Sequence, residues 1–189
     1  RKIWSNPVLP YYYVQIAPYQ YGNEDPTILA SFWEAQAAIE KTIPNTGMAV
    51  ISDVGNLKDI HPKNKQAVGQ RLANLALAET YGRGEIICRG PLFVGHRIEG
   101  TRVIVSFENA KGLATRDGKA PDWFEIGGNN GKYVKAQATI ANETVVLSAP
   151  EVEELDVSRE VVHVLPVAIL QGQGGPEPGP VQVDQQGRE

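Results

Sequence analysis

Cysteine is nearly absent from this sequence, and histidine is scarce. Cys88 is the one cysteine among 189 residues, so no disulfide can form within the chain and a cysteine-rich zinc site is excluded. The three histidines, His61, His96 and His163, lie far apart and lack the spacing of metal ligands. We therefore predict that the chain binds no metal. Cys88 follows two isoleucines, which predicts a small buried strand residue.

The sequence also lacks an excess of positive charge and any long apolar run. Eighteen Lys and Arg against 22 Asp and Glu give a formal net charge of -4, and the basic residues are scattered, so we expect no nucleic-acid partner. No apolar run approaches the roughly 18 residues of a transmembrane helix, so we expect no membrane span. The sequence contains no glycine-rich phosphate loop, so we expect no nucleotide cofactor. The sequence leaves the oligomeric state and the compartment open.

What the sequence does contain is an alternation of strand and helix patterns over residues 11–82. The predicted elements are a strand at 11–17, a helix from 25 to 43, a strand at 48–52 and a helix from 62 to 81. Pro26 and Pro62 mark the helix starts, Pro44 ends the first helix, and Gly82 is a stop signal for the second. Apolar residues at helical spacing predict two buried stripes: Leu29, Phe32, Trp33, Ile39 and Ile43, then Val68, Leu72, Leu75 and Ala76.

Such alternation favours an α/β fold with a parallel sheet and right-handed crossovers. In open α/β sheets, ligands bind beyond the carboxyl ends of the strands. The polar loop at residues 53–61 leaves the carboxyl end of the second predicted strand. Its position makes this loop the leading site candidate.

From about residue 84 the pattern changes to short β-branched runs between turns. The predicted strands are residues 102–107, 132–140 and 144–147, and the turn signals are Glu99-Gly100, Asp117-Gly118 and residues 127–131. We predict an antiparallel β module here. The end of the chain is rich in Gly, Pro and Gln, which predicts a flexible tail. The predicted division is therefore residues 1–83, 84–170 and 171–189.

Asp59 and His61 are the candidate catalytic residues. In an extended segment, side chains two residues apart point the same way, so Asp59 could accept a hydrogen bond from His61 Nδ1. That bond leaves His61 Nε2 to take a proton from a serine hydroxyl. At the start of a helix the dipole disfavours the imidazolium, whereas Asp59 favours it. The alternative is an ordinary loop histidine beside a helix cap.

Other polar and aromatic residues favour structural roles. Asp53 is a rival orienting carboxylate, but an Asp two residues before Gly55 is more typical of a turn. Gln36 lies within an apolar stripe, and a buried amide needs partners, so we expect it to hold a neighbouring loop. Five tyrosines could stack on sugars, but packing is the simpler role for each: Tyr11, Tyr12, Tyr13, Tyr19 and Tyr21. The acidic residues Glu151, Glu153, Glu154 and Asp156 are typical of a solvated face.

Several runs of this sequence resemble sialate O-acetylesterases. The most specific run is Asp59-Ile60-His61-Pro62-Lys63-Asn64-Lys65. The other similar runs are residues 13–19, 44–50, 68–73, 90–93 and 148–152, so the resemblance spans roughly residues 4–155. A related carbohydrate-esterase family shares the Asp-x-His-Pro element, so the reaction class is better defined than the substrate.

The resemblance implies a fold, a reaction and a site. The expected fold is part of a flavodoxin-like SGNH-hydrolase parallel sheet, followed by the β module. The expected partner is an O-acetylated sugar, typically a sialic acid, which loses its acetyl group through an acyl-enzyme on serine without metal or organic cofactor. His61 and Asp59 match the family's catalytic histidine and aspartate. Such proteins are commonly secreted, periplasmic or lysosomal.

The sequence departs from the family at the nucleophile. The family's serine lies in a Gly-Gln-Ser-Asn element, which is absent here, and neither Ser5 nor Ser31 has that setting. A triad without its nucleophile cannot form the acyl-enzyme. We therefore expect a fragment that is inactive alone and a full-length esterase. An acetylxylan-type esterase and a non-catalytic glycan-binding fragment are the alternatives.

Overall fold

The computed structural model of the protein describes residues 1–22, 26–115, 117–127, 132–152, 155, 162–164 and 170–171. In chain order the elements are β1 (Tyr11–Val14), α1 (Pro26–Thr42), β2 (Thr46–Ala49), α2 (Lys65–Leu75), a π-helical turn (Ala76–Thr80), β3 (Leu92–Glu99), β4 (Arg102–Glu108), β5 (Ala114–Thr115), β6 (Phe124–Gly127), β7 (Tyr133–Lys135), β8 (Gln137–Ala141), β9 (Thr144–Ser148), β10 (Val162–Val164) and β11 (Leu170–Gln171). Within these ranges, no helix has both the length and the apolar character that crossing a bilayer requires.

β1 and β2 form a parallel pair, as the alternation of strands and helices predicted. Tyr11 lies opposite Thr46, and Val14 lies opposite Ala49. The ladder continues one residue further, because the N–H of Gln15 donates to the carbonyl oxygen of Ala49 at 3.0 Å. The predicted α/β class with a small parallel sheet is confirmed.

Both parallel strands end earlier than predicted. β1 ends because the N–H of Ile16 donates to the side-chain oxygen of Gln36 at 2.9 Å and so is not available to a strand. β2 ends because the chain turns, and the N–H of Val54 donates to the carbonyl oxygen of Ile51 at 3.1 Å. The role predicted for Gln36, to hold a neighbouring segment, is thereby confirmed.

The predicted apolar stripe of α1 is only partly buried. The helix begins at Pro26 and ends before Pro44, as expected. Trp33 is buried and its indole N–H donates to the carbonyl oxygen of Ile16 at 2.8 Å, whereas Phe32 is 50% exposed. The stripe is partly exposed because a sheet of two strands offers the helix only a narrow surface.

The prediction that the second helix begins at Pro62 is wrong, because α2 begins at Lys65. Asn64 is the N-cap, and its side-chain oxygen accepts the N–H of Ala67 at 2.9 Å. This bond satisfies one of the free N–H groups of the first turn, so the helix needs no earlier residue. His61 lies before the cap, and the predicted effect of the helix dipole on its ring is not supported, since that effect fades within the first turn.

The stripe and the end of the second helix are confirmed. All members of the stripe are at least half-buried, and Leu75 is fully buried. The helix passes into the π-helical turn and stops at Gly82, whose φ of 68° lies in the left-handed region that favours glycine. The N–H of Arg83 then donates to the carbonyl oxygen of Leu77 at 2.9 Å.

The antiparallel module predicted after residue 84 is also confirmed. β3, β4, β9 and β8 form a four-stranded sheet in that order, β10, β6 and β7 form a second, and β5 pairs with β11. The largest fully buried side chains of its core are Phe124, Ile126, Leu147, Val103, Val105 and Val145. The division of the chain at residues 83 and 170 stays a prediction.

The single strand predicted at 132–140 is two strands in different sheets. β7 lies in the three-stranded sheet and β8 in the four-stranded sheet. Ala136 lies between them, buried, with its N–H donating to the carbonyl oxygen of Phe124 at 2.9 Å. The alternating pattern continues through the corner because a small alanine keeps the inward register on both sides.

Cys88 does not lie in a strand, so that prediction is wrong. It lies half-buried in the connection between the π-helical turn and β3, with its Sγ 3.8 Å from Glu79. Burial, together with the charge of Glu79, raises the pKa of the Cys88 thiol. The neighbouring Arg89 bonds to Glu40, whose carboxylate also accepts the N–H of Met48 at 2.9 Å. The connection is therefore fixed by side chains rather than by strand pairing.

Three predictions fall mostly outside the described residues. These are the tail, the turn at 127–131 and the acidic face: residues 172–189, 128–131, and 153, 154 and 156.

Leu75→Ala should lower the free energy of unfolding by about 2–5 kcal/mol, because it opens a cavity between α2 and the parallel strands. Urea unfolding followed by circular dichroism measures the change. Leu92→Ala removes the same atoms from a side chain that is half exposed and should cost far less. Equal losses in the two variants would contradict this placement of the core.

Candidate active site

The candidate site lies on the loop that leaves the carboxyl end of β2. The loop starts with the turn from Ile51 to Val54 and ends at the α2 cap. Asp59 and His61 lie in its last part, so the sheet and the helix fix the two ends of the segment that carries them.

An ion pair joins the start of this loop to α2. Arg71 donates from Nη1 to Asp53 Oδ1 at 2.5 Å and from Nη2 to Asp53 Oδ2 at 2.7 Å. Nη1 also donates to the carbonyl oxygen of Val50 at 2.7 Å. The Asp53 side chain is only 13% exposed, and such two-pronged pairs are both strong and directional. Asp53 therefore fixes the loop, in agreement with the turn role preferred from the sequence.

The middle of the loop packs against the segment that follows β1. A Cβ on Gly55 would lie 2.2 Å from Pro18 Cγ, so only glycine allows this approach. The N–H of Gln20 donates to the carbonyl oxygen of Leu57 at 2.9 Å. The buried amide of Gln15 adds a further link to the start of the loop, as its oxygen accepts a backbone N–H of residue 51 at 3.4 Å.

These anchors do not follow from the sequence pattern. The motif that contains Arg71 was noticed only for its resemblance, and nothing in the spacing pairs it with Asp53 eighteen residues earlier. Gln15 carried a weak signal, because a polar residue at the end of an apolar strand needs a partner when it is buried.

Asp59 and His61 are brought together by a local turn. The N–H of His61 donates to Asp59 Oδ1 at 3.0 Å, and His61 Nδ1 lies 3.6 Å from the same oxygen. Asn56 stabilises this turn. Its carbonyl oxygen accepts the N–H of Asp59 at 3.1 Å, and its side-chain oxygen accepts the N–H of Lys58 at 2.8 Å. The pair is thus held mainly through the backbone, and the contact with the ring is loose.

The electrostatics of the pair follow from this geometry. The backbone N–H of His61 lowers the pKa of the Asp59 carboxyl, and the nearby imidazole and Lys63 lower it further. The His61 side chain is 84% exposed, and Asp59 is its polar partner among the described residues. The arrangement presents an imidazole that is open to solvent next to an ionised carboxylate, and such a pair can accept and return a proton.

The tyrosines near β1 are mostly engaged in packing. The hydroxyls of Tyr12 and Thr80 share a hydrogen bond of 2.7 Å, and Tyr13 donates to the carbonyl oxygen of Gln36 at 2.5 Å. Tyr11 stacks on Tyr13 with ring centroids 5.9 Å apart. These contacts favour the packing role over an open sugar platform.

No cluster of three or more His, Cys, Asp or Glu in the described part of the chain is arranged to hold a metal ion.

Comparison with known proteins shows a likeness to a solved structure. No protein-family model matches the sequence, and no curated protein matches it. Among the solved structures that match is a carbohydrate acetylesterase from Xanthomonas citri, with a TM-score of 0.70 and 32% sequence identity. The match covers 79% of this chain and 35% of that chain.

This chain is thus similar to a carbohydrate acetylesterase and spans about a third of its length. The likeness supports an esterase relationship in general, which the Asp-x-His-Pro element had suggested. It does not address sialic acid.

Arg71→Met should lower the free energy of unfolding by about 1–3 kcal/mol, because it removes the two hydrogen bonds that the guanidinium donates to the nearly buried Asp53 carboxylate. Arg97→Met is the matched control, since the Arg97–Glu99 pair is more than half exposed on both sides and should contribute little. Urea unfolding compares the two. A loss for Arg71→Met no larger than that of the control would show that the pair does not fix the loop.

The pKa of Asp59 should stay below its ordinary value in His61→Ala, because the alanine keeps the backbone N–H that is the main cause of the shift. Carbon-detected NMR titration of the Asp59 carboxyl measures it. A lowered folded pKa contributes stability above the ordinary aspartate pKa, and this contribution is lost as the pH falls through the folded pKa. A return to the ordinary value in His61→Ala would mean that the imidazole, rather than the backbone, holds the carboxylate.

Proposed function

We propose that this chain is the C-terminal part of a carbohydrate O-acetylesterase that removes acetyl groups from sialic acids by serine acyl transfer. The observation that carries the proposal is the position of Asp59 and His61, on an anchored loop at the carboxyl end of a parallel strand, in a relative of a carbohydrate acetylesterase. The specific run at residues 59–65 favours sialate over other acetylated sugars.

In this proposal His61 is the general base and then the general acid. Its Nε2 takes the proton of a serine hydroxyl as the serine oxygen attacks the acetyl carbonyl carbon, and it returns that proton to the departing sugar oxygen. A water molecule then attacks the acyl carbon. His61 takes a proton from this water and gives it to the departing serine oxygen, and acetate is released. No metal or organic cofactor is part of the scheme.

Asp59 orients the imidazole and stabilises its protonated form. The 3.6 Å separation from Nδ1 is longer than a hydrogen bond, and the ring is exposed. Catalytic hydrogen bonds often tighten when substrate covers the site, so we expect this contact to shorten in the complete enzyme. The lowered pKa of the Asp59 carboxyl favours its ionised form, which is the form that stabilises a protonated imidazole.

The nucleophile and the oxyanion donors belong, in this proposal, to a segment outside the present sequence. That segment would place its strands beside β1 and so complete a flavodoxin-like SGNH sheet. Two features support this. β1 pairs with β2 alone among the described strands, and the residues before it expose Ile3, Trp4 and Val8 to solvent. The proposed segment would cover both the strand edge and these side chains.

In the full-length protein, His61→Ala should lower kcat for an aryl acetate by at least about a hundredfold, because the general base is lost. His96→Ala is the matched control: His96 lies on β3 in the β module and should leave kcat unchanged. Retention of activity by His61→Ala would make the site assignment wrong.

The 189-residue chain alone should show no turnover of an aryl acetate, whereas the full-length protein should release acetate from O-acetylated sialic acids faster than from acetylated xylan. Acetate release on the two substrates measures the preference. A preference for xylan would replace the proposed substrate but keep the reaction. Turnover by the chain alone would place the nucleophile within it and contradict the division of the triad.

A further inference from the structure

Trp123, in the β module, combines a strained backbone with an exposed indole. Its φ of 67° lies in the left-handed region, which a bulky residue rarely adopts, and the residue is 49% exposed. Burial of the ring therefore does not offset the strain. Strained residues persist where the surrounding structure determines them, and they concentrate at functional sites.

The surrounding structure fixes Trp123 from both sides. The next residue, Phe124, is fully buried in the module core and begins β6. The preceding residue, Asp122, accepts the N–H of Trp123 at 2.8 Å through Oδ1. Lys135 Nζ, on the neighbouring β7, lies 3.0 Å from Asp122 Oδ1 and 3.2 Å from Oδ2. The buried Phe124 fixes the backbone beside the indole, and the exposed Asp122–Lys135 pair lies next to it.

The face around the indole is polar and carries a second aromatic ring. Phe124 and Ile126 of β6 point into the core, so Glu125 lies on the opposite face. Glu125 is directly across from Lys135 in the β6–β7 register, and the ring of Tyr133 lies over Gly127, within 3.2 Å of where a Cβ would be.

A shallow groove of about 360 Å³ lies elsewhere on the β module. It is lined by the loop before Trp123, including Lys119 and Pro121, and by residues of β8, including Thr139. The indole itself is not part of its lining.

We propose that Trp123, with Asp122 and Lys135 beside it, forms a carbohydrate-binding site that takes one pyranose ring of an oligosaccharide. A pyranose has an apolar C–H face that matches a flat exposed indole, and a rim of hydroxyls that both donate and accept hydrogen bonds. In this proposal the Asp122 carboxylate accepts hydrogen bonds from the hydroxyls of the pyranose, and the Lys135 ammonium donates hydrogen bonds to them. The site lies on the β module rather than on the loop of His61, so it does not depend on the proposed esterase activity.

NMR on the ¹⁵N-labelled 189-residue chain tests the proposal directly, because the chain contains only three indole N–H signals. Xylotetraose and 3′-sialyllactose are the two probes, titrated separately to millimolar concentrations. We expect one of them to shift the Trp123 signal in a saturable way and to leave Trp4 and Trp33 unchanged. Trp123→Ala should weaken binding at least tenfold, while Trp4→Ala, which removes a more exposed indole, should not weaken it.

Trp123→Gly separates loss of the ring from loss of the fold. Glycine adopts a φ of 67° without strain, so this variant should unfold at the same temperature as the wild type or higher, while binding is lost. His61→Ala should bind as the wild type does. Failure of both probes to shift the Trp123 signal, or retained binding in Trp123→Gly, would overturn the proposal.

Discussion

The two-pronged ion pair between Arg71 and Asp53 is the contact on which the candidate site depends most. It ties the start of the 53–61 loop to α2, and the same guanidinium holds the carbonyl oxygen of Val50 at the end of the strand region. A polar loop of this length would otherwise lose much of its order, since backbone groups that do not bond to each other bond to water. The ion pair therefore fixes the start of the loop relative to the strand end and to the helix.

This constraint explains how an exposed residue can still have a defined position. His61 has few contacts of its own, and its ring is open to solvent. Its backbone, however, follows from a chain of local bonds through Asn56 and Asp59, and the loop is pressed against Pro18 at Gly55. In the proposed esterase, the ordered backbone would position the ring, and contacts with the substrate and with the segment that carries the serine would fix its orientation.

Much of the fold could be predicted because its signals are local. Pro26 at the first position of α1, Gly82 in the left-handed region and the apolar stripe of the second helix are signals that act over a few residues, and the structure confirms these three predictions. The predicted start of α2 is wrong because the sequence offers two start signals, Pro62 as a first helical residue and Asn64 as an N-cap. Propensity alone does not rank them. Residues 132–140 were predicted to form a single strand because the alternation of apolar and polar residues continues without a break through Ala136, where the chain passes from one sheet to the other.

The sequence by itself determined the class of fold, the position of the Asp59–His61 pair and the likeness to carbohydrate esterases, because periodicity, turn residues and short motifs are properties of neighbouring residues. Only the tertiary structure decided that Asp53 pairs with Arg71, that the partners of Gln36 and Gln15 are Ile16 and Ile51, and that Trp123 stands exposed on a strained backbone. Those outcomes depend on which distant groups meet. The free energy of a buried polar group is set by its partner, and a sequence names the group without naming the partner.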